Sequence, residues 1–599
     1  MTEGEEIHLA MLSASRSPST VNKGDLASEA HTADSMNGIT GDPKYSHEIF
    51  GSSSAGSFMR QIQTAINPSM DTSPSHPRGK GTVTRGDSPR AQPAYSGYEK
   101  STLLLLPPKA VADSLMQVYW DYDWTLYPII DRGQVEETYE SLWTSGDAMN
   151  ISPLRMSIIN VCFALGCHYA PLILPKERRD TGDCFFSRAE CLYNKAKDGP
   201  SCERVQCLLL FGVYLQSTKN VFQCWMTVGE AIRIAQSLGM HLPEAEISSQ
   251  PVSHREYRRR TWHGCVWLDR VLSATFGRPG MIPNWLFSSV PLPSMIDDEF
   301  FQDQIEGSER RPDGQPCIMA FMGKAIELYR ILDDVLVQLY LTCNPREEEM
   351  ESKLPHILEL DSRIQSWVKS LPSHLQIQTA ATRNTIVYRQ ATVLRIHSLH
   401  VRILLFRPTL VRYCRRGAPL YTEKPDVSTD PSLSEVMLFQ CPRMCFRFAH
   451  ELIEIFNLNL DPKTLGGPLP VWWYSVFYVY TAATTILVER FLEARESAAN
   501  SESAASQAWN AAIHVLRSYG ALSDCAQRCV AALEALYDNL SLNNRKKGNT
   551  SDTRDAAPDR DSFLGLYNHL NQPEEMNGPG LLPLTFDDLV WLDSILEYE

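Results

Sequence analysis

No cysteine precedes Cys162, and no two cysteines in the chain stand in a Cys-x-x-Cys arrangement. Structural zinc sites use short, turn-forming spacings that let two thiolates meet one tetrahedral ion. The tightest pairs, Cys441/Cys445 and Cys525/Cys529, are four apart, a spacing that stacks small apolar groups on a helix face. No structural zinc is expected. Also missing are Gly-x-Gly-x-x-Gly, a phosphate loop ending in Gly-Lys-Ser/Thr, and Gly-x-Ser-x-Gly. Their absence removes the common signatures of dinucleotide, nucleoside triphosphate and acyl-transfer chemistry. Positive charge is short as well: 56 Lys and Arg face 71 Asp and Glu, a net charge of -15. Contact with DNA must then run through a small local patch or a partner. The N-terminal MTEGEEIHLAM has early acids and no apolar core, so neither a secretory signal nor a basic transit peptide is expected.

What is present is a large stock of core-forming residues. Of 599 residues, 43% are hydrophobic, enough for an extensive folded body. The 15 cysteines, an odd number, sit mostly in apolar contexts such as Cys162, Cys207 and Cys265, which points to buried thiols in a reducing compartment. Apolar residues recur at helical spacing from Leu103 to about Leu540, punctuated by Pro107-Pro108, Gly199-Pro200, Pro279-Gly280 and Gly466-Gly467-Pro468. Alternating strand patterns are scarce. The expected fold is all-α, a large multi-helix regulatory domain over residues 96–540, best matched over 103–300. Residues 1–95 are Ser-, Gly- and Pro-rich and read as disordered, with a helical turn at Ser57–Ile62; their basic residues Arg78, Lys80, Arg85 and Arg90 read as solvated linker. Ala494–Gln507 and 541–576 read as flexible linkers. Leu469–Val488 carries no charge and is about long enough to cross a bilayer. Its Pro470, its hydroxyl-bearing residues and its unbiased flanks favour a core helix, hydrophobic all round, and no membrane contact is expected.

No catalytic residue or cofactor site emerges. His450-Glu451 lacks the second histidine of a zinc-protease helix and reads as an exposed helix edge. His397 and His400, three apart, lack further ligands and read as partly buried structural histidines. Gly229, Ala231 and Ala235 would let helices approach closely, and Gly239 and Gly277 suit left-handed helix ends, with Pro279 blocking continuation. Arg233, Arg258, Arg260, Arg270 and Arg278 lie between apolar runs. Some should be paired, with Asp269 the obvious acid.

Three stretches together resemble the fungal-specific transcription factor domain, or middle homology region. The first runs from Leu106-Pro107-Pro108 through Tyr119-Trp120-Asp121-Tyr122-Asp123-Trp124 to Leu126-Tyr127-Pro128-Ile129-Ile130. The second is Gln206–Gln216 followed by Trp225–His241, with Trp225, Gly229, Ala231, Arg233, Ala235, Leu238-Gly239 and His241 at the family's positions. The third is Arg258-Arg259-Arg260-Thr261-Trp262, Leu268-Asp269-Arg270 and Gly277-Arg278-Pro279, with His263 where a second Trp is common. Leu399–Pro408 resembles a later helix end, and Gly51-Ser52-Ser53-Ser54 a segment that often precedes the domain. The resemblance spans roughly residues 50–490. It implies a nuclear transcriptional regulator, with metabolic and secondary-metabolite clusters among the family's usual targets, and a possible homodimer. The family's six-cysteine zinc cluster has no counterpart in this sequence. A truncated gene model, a DNA-binding partner or an unrecognised DNA-reading module would each account for that. A structural scaffold, such as a kinetochore-like component on the same helical fold, is the alternative.

The tail 577–599 interleaves acids with bulky apolar residues. Thr585 could cap a helix bearing Phe586, Leu589, Leu592 and Leu596 on one face, with Asp587, Asp588, Trp591 and Ile595 among them. It reads either as an acidic activation segment that engages a coactivator or as a last helix docked on the body. Arg545-Lys546-Lys547 is the only tight basic cluster in an expected linker, a candidate for nuclear entry.

Overall fold

The computed structural model describes residues 50–66, 103–144, 151–197, 199–243, 251–301, 311–341, 349–377, 385–416, 432–461, 467–496, 503–520 and 522–548. Helices and their connections account for all of them, with no strand among the described residues, so the all-α reading holds.

Among the described residues sixteen α-helices follow one another: α1 (Ala55–Ile66), α2 (Lys109–Tyr119), α3 (Arg132–Thr144), α4 (Pro153–Gly166), α5 (Arg178–Lys195), α6 (Cys202–Leu215), α7 (Val221–Ser237), α8 (Val252–Phe276), α9 (Asn284–Phe287), α10 (Ala320–Leu339), α11 (Glu349–Lys369), α12 (Ile386–Arg416), α13 (Leu433–Asn459), α14 (Trp472–Glu496), α15 (Ala504–Tyr519) and α16 (Asp524–Gly548). Their starts are written locally. Ser152, Ser201 and Ser503 each accept a backbone amide at a helix N-terminus, and Ser432 with Glu435 forms a reciprocal capping box. Gly239 and Gly277 sit at φ 65° and 67° at helix ends, the left-handed placements expected of them.

The helices wrap α14. From Trp472 to Val488 every residue of this helix is buried, and α12, α13, α15 and α16 pack against it. Among the described residues no helix is long and apolar enough to cross a membrane. One apolar core runs from Ala55 to Leu536.

Four details depart from the sequence reading. The turn expected at Ser57–Ile62 is part of the twelve-residue α1, whose Phe58, Met59, Ile62 and Ile66 are buried against α12 and α14. The Ala494–Gln507 linker is shorter than expected, because α14 continues to Glu496 and α15 begins at Ala504. Arg545-Lys546-Lys547 lies in the last turn of α16, which runs past the expected boundary at 540. Leu399–Pro408 does not end a helix, since α12 passes through Pro408 to Arg416. Proline removes the amide that would bond the carbonyl of Leu404. The Tyr340 hydroxyl donates to that carbonyl instead, at 2.5 Å. The tail 577–599 lies outside the described residues.

Candidate functional site

The arginine-rich run at the start of α8 is an internal brace. Arg258 Nη2 donates to the carbonyl of Leu238 at 2.6 Å, tying down the end of α7. Arg259 Nη1 reaches Glu256 and Ser294. Arg260 is wholly enclosed. Its Nε meets Glu256 Oε1 at 3.1 Å, its Nη1 meets Asp298 Oδ1 at 2.6 Å, and its Nη2 donates to the carbonyl of Ile296. Burial pulls this guanidinium's pKa down, but Asp298 and Glu256 outweigh it and the net shift is upward. The acids that serve Arg260 are therefore Glu256 and Asp298. Trp262 is buried beside it, and His263 Nε2 sits 2.7 Å from the carbonyl of Pro291.

Asp269 serves Arg270. Its Oδ2 lies 2.9 Å from Arg270 Nη1, and its two oxygens accept the amides of Met281 and Ile282 at 2.9 and 3.0 Å. Arg270 also reaches Asp333 at 3.4 Å and the carbonyl of Ile282. Burial pushes the Asp269 carboxyl up, opposed by Arg270 and the two amides. This knot fixes the loop after Gly277-Arg278-Pro279 against α8 and α10. Arg278 lies over Trp225 and Phe276, 5.4 and 5.2 Å from their ring centroids.

Two signature residues lie differently from expectation. Arg233 is solvent-exposed on α7. Gly229 is half-buried, and a Cβ there would meet Met281 Sδ at an ordinary 3.5 Å. Ala231 and Ala235 are fully buried. The close approach of α6 and α7 rests on Gly212, where a Cβ would stand 2.7 Å from Val228 Cγ2. Helical periodicity could not distinguish Gly212 from its apolar neighbours.

A second polar centre lies at the Leu126-Tyr127-Pro128 turn, a feature of the resemblance whose polar partners the sequence did not reveal. The chain leaves α2 through one π turn, Trp120–Trp124. π turns are enriched at functional positions. Arg389 Nη1 and Gln390 Nε2, from the start of α12, donate to the carbonyls of Tyr122 and Thr125 at 2.6 and 2.7 Å. Asp123 is buried nearby, and burial raises its carboxyl to about 7 against the pull of Arg389. Tyr127 stacks on Trp267 with ring centroids 3.7 Å apart.

The histidines singled out from sequence are structural. Burial lowers His397 and His400 to about 3, so both are neutral near pH 7. His450 and Glu451 are not a bare helix edge. His450 Nε2 lies 2.5 Å from Glu489, and Glu451 pairs with Arg395. None of the fourteen described cysteines is in a disulfide, and all but Cys184 and Cys202 are buried. Among the described residues no group of three His, Cys, Asp or Glu is placed to hold a metal. An open groove of about 610 Å³ lies between α10, α11 and the loop after α9, with Phe287, Val290, Ile331 and Trp367 among its apolar walls and Arg330 and Arg363 among its charges. Arg363 pairs with Asp334 at 2.6 Å, and Arg330 lies over Phe287.

The body is helical and is braced by the enclosed Arg260 and Arg270. The chain matches the fungal specific transcription factor domain over residues 116–369. It is 30% identical to sorbicillinoid biosynthetic cluster transcription factor 2 of Penicillium rubens, over 73% of this chain and 62% of the relative. Identity to sorbicillinoid biosynthetic cluster transcription factor sor3 of Hypocrea jecorina is 28%, over 72% and 59%. Identity to activator of stress genes 1 of Saccharomyces cerevisiae is 23%, over 69% and 42%. The chain spans about three fifths of the length of the first two.

Proposed function

We propose that this protein is a nuclear transcriptional regulator that activates metabolic genes, a secondary-metabolite cluster foremost among them. The observation that carries the reading is the 455-residue similarity to a relative named as a biosynthetic-cluster transcription factor. The architecture supports it, because Arg258, Arg260 and Arg270 tie the helices and loops of the body together. DNA is reached through a DNA-binding partner or a module that the sequence does not reveal, and homodimer contacts would come from the helical body. Residues 577–599 engage a coactivator through Phe586, Leu589, Trp591, Leu592, Ile595 and Leu596, kept hydrated by Asp587 and Asp588.

Deleting the gene and sequencing transcripts tests this reading. Loss of expression of a contiguous set of biosynthetic genes, with the protein cross-linked at their promoters, is the expected result. An unchanged transcript profile accompanied by a chromosome-segregation defect would replace regulation with scaffolding. Fusing residues 577–599 to an unrelated DNA-binding domain should induce a reporter, and no induction would remove the coactivator claim.

A further inference from the structure

We propose that residues 50–66 are a detachable strap and that the two Arg-Pro segments, Gly277-Arg278-Pro279 and Arg407-Pro408, exist to form its cradle. The strap is then a clip by which the helical body holds the chain that precedes it.

The contact begins backbone to backbone. The amide of Gly51 donates to the carbonyl of Phe276 at 2.8 Å. A Cβ on Gly51 would stand 2.0 Å from the carbonyl oxygen of Gly277, and one on Gly277 would stand 2.4 Å from the Gly51 backbone. Each glycine is required by the other, and Gly277 additionally by its positive φ. Helix C-termini leave carbonyls without intrahelical partners. Here the strap supplies donors to three of them, the first being the Phe276 carbonyl met by Gly51. Ser53 Oγ donates to Ala274 in the last turn of α8 at 3.1 Å, and Ser52 Oγ donates to Tyr340 at the end of α10 at 3.2 Å.

Arg407 closes the cradle. It is buried, forms no ion pair among the described residues, and donates to the strap carbonyl of Ser53. Its guanidinium lies 4.5 Å from the ring centroid of Phe58. Arg278 lies over the ring of Phe50, which meets Phe276 edge-on. Beyond this point α1 lays Phe58, Met59, Ile62 and Ile66 against α12 and α14.

These contacts suit a segment that comes and goes. The strap joins the body covalently only through residues 67–102, long enough to allow departure. When it leaves, the carbonyls of α8 and α10 return to water and the Arg407 guanidinium regains solvent. What is given up is the strap's hydrogen bonds, the Arg407–Phe58 and Arg278–Phe50 contacts and the apolar burial of α1. Docked, the strap fixes residue 50 at the end of α8, so chain N-terminal to it is anchored on the body.

A site-specific protease sequence placed between residues 75 and 80 of the full chain tests the proposal. After native cleavage, the N-terminal fragment should co-elute with the body on gel filtration. An excess of synthetic peptide 50–66 should displace it, and the same peptide carrying Gly51→Val should be at least tenfold less effective. Because the comparison uses peptides, it does not depend on a variant protein folding. A fragment that leaves spontaneously, one that excess peptide never displaces, or equal displacement by both peptides would each overturn the proposal.

Discussion

The hydroxyl of Tyr340 donates to the carbonyl of Leu404, 2.5 Å away, at the one turn of α12 where Pro408 has removed the amide that would otherwise bond it. Leu404 is buried, so water cannot substitute. Leaving a buried carbonyl unpaired costs about 1–3 kcal/mol. Tyr340→Phe should therefore destabilise the body by roughly that amount in urea unfolding. Pro408→Ala restores an amide, so its gain should be larger in the Tyr340→Phe background than in the wild type. Additive effects in this double-mutant cycle would show that the hydroxyl does not replace the missing bond.

Two glycines in neighbouring helices should respond oppositely to alanine. At Gly212 the added Cβ meets Val228 Cγ2 at 2.7 Å, and that β-branched side chain has little freedom to yield. Gly212→Ala should cost about 1–3 kcal/mol by overpacking. At Gly229 the nearest atom is the thioether end of Met281 at 3.5 Å. Gly229→Ala should be neutral or stabilising by up to about 1 kcal/mol, through helix propensity. Thermal melts of the two variants check this, and equal losses would place the close approach elsewhere.

This contrast shows what the sequence could and could not disclose. Helical class and the left-handed ends at Gly239 and Gly277 are local properties, so they were legible. Pairing was only half legible. Asp269 finds its neighbour Arg270 in sequence, whereas Arg260 finds Asp298 across a loop that no spacing rule anticipates. Gly51 and Gly277, or Arg389 and Tyr122, meet only because the chain folds back across more than two hundred residues. Pro408 reads locally as a stop, and only the remote Tyr340 hydroxyl makes its continuation intelligible.

Asp269 satisfies three donors at once: Arg270 and the amides of Met281 and Ile282. Asp269→Ala strands the two amides and leaves Arg270 with Asp333 as its remaining acid, a loss of about 3–5 kcal/mol for a broken buried pair. Asp269→Asn keeps one oxygen and should cost less. Denaturant midpoints decide it, and a wild-type midpoint for the alanine variant would mean the loop after Pro279 is held by other contacts.

Asp123 gives the pH response a sign. Burial raises its folded pKa from 3.8 to about 7, so the native state holds a proton that the unfolded chain releases near pH 4. The stability tied to its neutral form is complete below about pH 4 and is lost as pH rises through about 7. His168, His397 and His400, lowered to about 3, act in the opposite sense, because the unfolded chain takes up protons as pH falls below about 6.5. The wild-type profile is therefore a balance, and the informative quantity is a difference between proteins. Asparagine at 123 carries no titratable proton, so Asp123→Asn should gain on the wild type by about 2–3 kcal/mol between pH 5 and pH 8. Urea unfolding at the two pH values measures that gain. A constant difference would mean that Asp123 is ionised throughout, held as a charged partner of Arg389.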